Sequence, residues 1–90
     1  MKPVFLDTSG WLAAISPRER GHASARAAYD RAASAPTAFV TTTLVLGEMH
    51  ALLLRARGPS DASRFMDAIL DSKAVSVVSH FKTAGYRPLD

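Results

Sequence analysis

The sequence predicts an α/β fold with a small parallel sheet, on three observations. Short runs of apolar, aromatic and β-branched residues recur along the chain, longer segments of helical periodicity separate them, and polar, glycine or proline breaks mark the changeovers. Alternation of this kind through residue 78 favours parallel strands joined by right-handed crossovers. Ninety residues fit a single domain spanning 1–90 with a modest core.

The elements follow in order. Pro3, Val4, Phe5 and Leu6 read as a buried strand, broken by Asp7, Thr8, Ser9 and Gly10, and Trp11 to Ile15 have the composition of a short helix. Ser16 to Gly21 form a polar loop with two breakers. An alanine-rich helix is predicted over His22 to Ala35, stopped by Pro36, before a second strand over Ala38 to Thr41. Thr41, Thr42 and Thr43 supply hydroxyls, one of which can cap a helix from about Leu44 to Arg57 that ends at Gly58 and Pro59. Ser60 and Asp61 offer an N-cap to a further helix with an apolar stripe of Ala62, Phe65, Met66, Ile69 and Leu70. Ala74 to Val78 make the third strand, Ser79 to Gly85 one helical turn, and Tyr86 to Leu89 a short edge strand in which proline is tolerated.

Composition narrows the function classes. Hydrophobic residues make up 48% of the chain and charged residues 21%, an ordinary globular balance rather than a disordered one. Without cysteine there is neither a disulfide framework nor a thiolate metal site, and the first apolar run is too short for a signal or membrane segment, so the expected location is cytoplasmic with no membrane partner. Eleven basic against eight acidic residues give +3, which favours a polyanionic partner without naming one, because the arginines are scattered. A small helical DNA-binding module would share that charge, but no recognition helix rich in Arg, Asn or Gln stands out.

Two carboxylates carry the candidate chemistry. Asp7 stands where the first strand ends, and ligands of open parallel sheets collect at the carboxyl ends of strands; the alternative is that Asp7, Thr8 and Ser9 only cap the following helix. Glu48 lies in a stretch, Leu44 to Leu54, whose other non-apolar residues are Gly47 and His50. An unpartnered carboxylate on an apolar helix face costs several kcal/mol or takes up a proton, so Glu48 calls for a cation, an arginine or a wet crevice. The alternative is a salt bridge to an arginine such as Arg55, or a side chain that simply lies on the solvent edge of the helix. If the two acids converge, their repulsion invites a divalent cation. Asp67 and Asp71 read as the solvated face of a helix, Asp90 as a fraying terminus and His80 as a packing element beside Phe81.

Val4 to Ser9 followed by Trp11 to Ala13, then Phe39 to Thr42, then Val45 to Glu48 with Leu52 to Leu54, resemble the PIN domain as found in VapC-type toxins of bacterial toxin and antitoxin modules. The resemblance implies a three-layer α/β/α sandwich with a small parallel sheet. It also implies an Mg2+- or Mn2+-dependent endoribonuclease whose acidic cluster holds the metal that activates a water against an RNA phosphodiester, a cognate antitoxin protein, and a homodimer. On this carry-over Asp7 and Glu48 are the catalytic and metal-binding acids, with Thr8 or Ser9 orienting Asp7 or a water on the metal. Residues 1–78 resemble the family's N-terminal part and 79–90, with His80 and Phe81, its C-terminal end. The fold is therefore incomplete relative to the family. The resemblance implies a segment that delivers a third acid, which this chain lacks, and a further acid two residues before the His and Phe pair, where Val78 stands. At least the third acid, and with Val78 the fourth, is expected to be absent and activity impaired. The alternative is a non-catalytic PIN remnant that serves as an antitoxin- or self-association module through its apolar helices.

Overall fold

The computed structural model describes residues 3–79 and the backbone of Arg87–Pro88. The chain runs β1 (Val4–Phe5), α1 (Thr8–Ile15), α2 (His22–Ala32), β2 (Phe39–Thr42), α3 (Thr43–Arg57), α4 (Pro59–Asp71), β3 (Val75–Val78) and β4 (Arg87–Pro88). The strands form one sheet in the order β3-β2-β1-β4, every pairing parallel, with Val4 opposite Phe39 and Phe39 opposite Val75. The expected α/β class and small parallel sheet are therefore present, and β4 lies at the sheet edge as the Pro88 segment suggested.

Because β1, β2 and β3 step in one direction across the sheet, two right-handed crossovers put their helices on the same side. The contacts agree: α1 packs on α2 and α3, and α3 packs on α4. Among the described residues all four helices thus form one layer, so these residues supply two of the three layers expected of the sandwich. Side chains alternate across a strand, and Val4, Leu6, Phe39 and Val75 join Trp11, Leu46, Met49 and Ile69 in the core beneath that layer. Aromatic rings bind the layer to the sheet. Tyr29 of α2 stacks on Phe39 of β2 at 4.6 Å, and Trp11 of α1 meets Phe65 of α4 edge-on at 5.4 Å.

Several boundaries differ from expectation, each for a local reason. Helix α1 starts at Thr8 rather than Trp11, because the Asp7 carboxylate caps it. Helix α2 stops at Ala32, short of Ala35. Helices α3 and α4 are joined by Gly58 alone, at φ 96°, ψ 174°, where a side chain would be strained; Pro59 then takes the first helical position, so Ser60 and Asp61 lie inside α4 and do not cap it. Leu70, placed in the α4 stripe, is 64% exposed, whereas Ala62 and Ile69 are buried. The helical turn expected at Ser79 to Gly85 lies outside the described residues from His80 onward, as do the readings of His80 and Asp90. Among the described residues no helix is long and apolar enough to cross a membrane.

Candidate functional site

The site is built where β1 gives way to α1. Leu6 is fully buried, and its N–H donates to Val40 at 2.8 Å, which holds the carboxyl end of β1 in the ladder up to the residue before Asp7. The Leu6 carbonyl accepts from the Thr41 hydroxyl at 2.8 Å, and the same hydroxyl accepts from the Trp11 indole N–H at 3.1 Å. Both bonds are buried, where a satisfied polar network is rigid and a broken one costly. One side chain from β2 thereby fixes the strand end and the first turn of α1 on either side of Asp7.

Asp7 itself is half-buried and serves as the N-cap of α1, its Oδ1 accepting from the Gly10 N–H at 2.8 Å. The capping reading of this residue is therefore correct, and it occupies one carboxylate oxygen. A carboxylate has about four lone-pair positions, so capping leaves capacity for another ligand. Thr8, the first residue of the helix, turns its hydroxyl to Glu48 and donates to Oε1 at 3.0 Å. Glu48 thus reaches from α3 to the residue next to Asp7, at the carboxyl end of β1.

Of the two readings of Glu48, the solvent-edge one holds: Glu48 is exposed, and Leu44, four residues before it, is 52% exposed, so burial on an apolar face does not force a partner on this carboxylate. Its partner is the Thr8 hydroxyl, with no arginine paired to it among the described residues. Thr8 accordingly orients Glu48, whereas Ser9 is exposed. Val78 closes β3 in register with Thr42, a second buried hydroxyl, which caps α3 through the Val45 N–H at 3.0 Å. No acid stands at that strand end.

Asp7 and Glu48 carry hard carboxylate oxygens, the donor type that suits Mg2+ or Mn2+, which are commonly held by one or two carboxylates and keep several waters. Among the described residues no group of three or more His, Cys, Asp or Glu is gathered, so two carboxylates are the most these elements would offer such an ion. Thr41 is the structural determinant the sequence reading passed over. Its place two residues after Phe39 on the helix-facing side of β2 is legible, but its pairing with Trp11, 30 residues away, is not.

A second concavity lies away from the acids. Leu12 and Ile15 of α1 and Leu52, Leu53 and Ala56 of α3 line an apolar cleft of about 280 Å3, with Glu19 and Arg57 at its mouth.

The profile of the PIN domain family matches residues 4–86. Among solved structures, VapC20 of Mycobacterium tuberculosis, described as a sarcin-ricin loop cleaving toxin, matches with a TM-score of 0.65 and 33% identity over 84% of this chain and 55% of that one. The chain therefore spans about half the length of the toxin it matches. Comparison with curated proteins finds no significant match.

Proposed function

The chain belongs to the PIN domain family, and from that membership we propose that it is a toxin-type, divalent-cation-dependent endoribonuclease of reduced activity, with Asp7 and Glu48 as its metal-binding acids. The observation that carries the reading is the hydrogen bond from Thr8 to Glu48, which brings an α3 carboxylate to the strand end that bears Asp7. RNA as substrate is supported by the family resemblance, by the likeness to a toxin described as cleaving the sarcin-ricin loop, and by seven exposed arginines between Arg18 and Arg64.

The chain's own residues divide the work. Asp7 would hold the cation with the carboxylate capacity that capping leaves, and because its backbone is pinned by Leu6 and Thr41 it needs little reorganisation to do so. Glu48 would take a second coordination position, its rotamer set by Thr8. A bound divalent cation supplies Lewis acidity toward the phosphodiester and lowers the pKa of water. The exposed arginines would attract the RNA backbone and raise its local concentration.

Reduced activity follows from the donor count. Two acids make a thin ligand set, and Val78 occupies the strand end where the resemblance places another. That count equally favours a second reading, a non-catalytic remnant that binds a cognate antitoxin, for which the cleft between α1 and α3 supplies an apolar seat. We read residues 79–90 as the family's C-terminal end joined directly to its N-terminal part.

The experiment is cleavage of RNA by the full chain with Mg2+ or Mn2+, beside Asp7→Asn. Slow cation-dependent cleavage is expected, reduced at least ~100-fold in the variant, since loss of even an outer metal partner commonly costs 10–100-fold. Cleavage that survives Asp7→Asn would remove Asp7 from the mechanism. A wild type that neither cleaves nor binds Mn2+ would leave the antitoxin-binding reading in possession.

A further inference from the structure

We infer that the cleft between α1 and α3 binds a free hydrophobic α-amino acid, its side chain in the cleft and its two charged groups held by Glu19 and Arg57. The cleft follows from how the helices lie. Thr8 of α1 bonds to Glu48 of α3, and steps of four residues along both helices lead to Leu12 with Leu52, then to Ser16, just after α1, with Ala56. These last four residues all line the cleft. The helices therefore run side by side in the same direction, and beyond the first turn their facing sides change from polar to aliphatic. Leu12, Ile15, Leu52 and Leu53 are each only half-buried, so the aliphatic stretch is left open.

Size and charge select the occupant. A volume of about 280 Å3, at ~30 Å3 for each water-sized group, admits on the order of ten heavy atoms, the size of a single free residue such as leucine. At the mouth, Glu19 stands on the loop after α1 and Arg57 on the last turn of α3, and the two do not pair with each other. Glu19 forms no ion pair among the described residues. Arg57 reaches Asp61 at 3.6 Å, too long for a hydrogen bond, and Arg64 already holds that carboxylate, so the donor fork of Arg57 is available. A simple anion would meet the repulsion of Glu19 and Asp61, and a simple cation that of Arg57 and Arg64. A zwitterion escapes both: its ammonium donates to Glu19, its carboxylate accepts from Arg57, and its apolar side chain covers the leucines. Such a ligand occupies the cleft that the second reading gives to a partner and would compete with it, but its binding depends on neither reading of function.

The test is a titration of the full chain, followed by backbone amide NMR shifts, with L-leucine, with L-leucinamide, which lacks the carboxylate, and with 4-methylpentanoate, which lacks the ammonium. L-leucine should saturate with a Kd of about 0.01–1 mM and shift the amides of the cleft, in keeping with a ligand of this size. Each truncated probe should bind about tenfold more weakly or worse, because one charged group of the mouth is left unmatched. Arg57→Gln should weaken leucine about tenfold and leave leucinamide unchanged, whereas Glu19→Gln should weaken leucine and leave 4-methylpentanoate unchanged. Both side chains are exposed, so both variants keep the wild-type fold. The absence of saturable shifts at ~10 mM leucine, the outcome expected of a cleft that takes only a partner helix, would overturn the inference. So would truncated probes that bind as tightly as leucine, or variants that weaken whole and truncated probes alike. RNA cleavage is scored separately at Asp7, so failure of one reading leaves the other standing.

Discussion

Thr41→Val removes one oxygen at nearly constant volume and tests whether the buried hydroxyl holds the strand end that carries Asp7. The hydroxyl donates to the Leu6 carbonyl at 2.8 Å and accepts from the Trp11 indole at 3.1 Å, and Thr41 has no exposed surface. Two lost hydrogen bonds contribute about 1 kcal/mol each, and a buried indole N–H left unpaired adds about 1–3 kcal/mol, so the loss should be ~3 kcal/mol. A domain of this length has a total stability of about 5–13 kcal/mol, so the substitution removes a quarter or more of it. Urea unfolding followed by Trp11 fluorescence and by circular dichroism should show the midpoint fall, and Tm should drop by roughly 10–20 °C. The same substitution in a Trp11→Phe background should cost less by ~1–2 kcal/mol, because the orphaned donor is gone. A loss under 0.5 kcal/mol, or an equal loss in both backgrounds, would refute the role given to Thr41.

Gly58→Ala isolates backbone strain: nothing lies within 4 Å of the added methyl, so the expected loss of about 1–2 kcal/mol comes from φ 96° alone, and chemical denaturation with no loss would show that the α3–α4 joint adapts. Burial raises the pKa of Tyr29, Arg26 opposes the shift and Asp30 adds to it. A phenol whose folded pKa lies above its unfolded value of about 10 gives stability that is full below that pH and lost as pH rises through the folded pKa. Denaturation curves between pH 9 and 12, ~ranges set by that reference value, should therefore show an alkaline decline in the wild type that is smaller in Tyr29→Phe.

Much of this architecture was legible because it is local. Apolar runs ended by polar clusters located β1, β2 and β3, and the threonine run and Gly58 bounded α3. Asp7 stands out because a carboxylate after a buried strand is conspicuous, and its capping role is the one seen. Glu48 was singled out for a partly mistaken reason. Its neighbours Leu44 and Leu54 are apolar but exposed, so sequence patterning read an exposed face as a core face. Pairings across 30 or 40 residues, Trp11 with Thr41 and Thr8 with Glu48, were not legible, since they depend on which helix each crossover delivers to the strand end. The single-layer arrangement of helices, by contrast, follows from strand order, which the sequence does not print.

Stability and the candidate chemistry draw on the same atoms here, and that governs how any loss of activity must be read. Asp7→Ala would remove both the carboxylate proposed to hold the cation and the cap on the Gly10 amide, the latter a loss of about 0.5–2 kcal/mol from a small domain. Asn caps helices about as well as Asp, so Asp7→Asn keeps the bond to Gly10 while withdrawing the charge that a divalent cation needs. Glu48 presents the opposite case: it is exposed and its one described bond is to Thr8, so Glu48→Gln should leave folding unchanged. If both isosteric variants keep the wild-type unfolding curve and only the charge is lost, a shared fall in Mn2+ affinity assigns the two carboxylates to one ion. A fall in one alone separates them, because an ion held by Asp7 without Glu48 has no use for the hydrogen bond that joins α1 to α3.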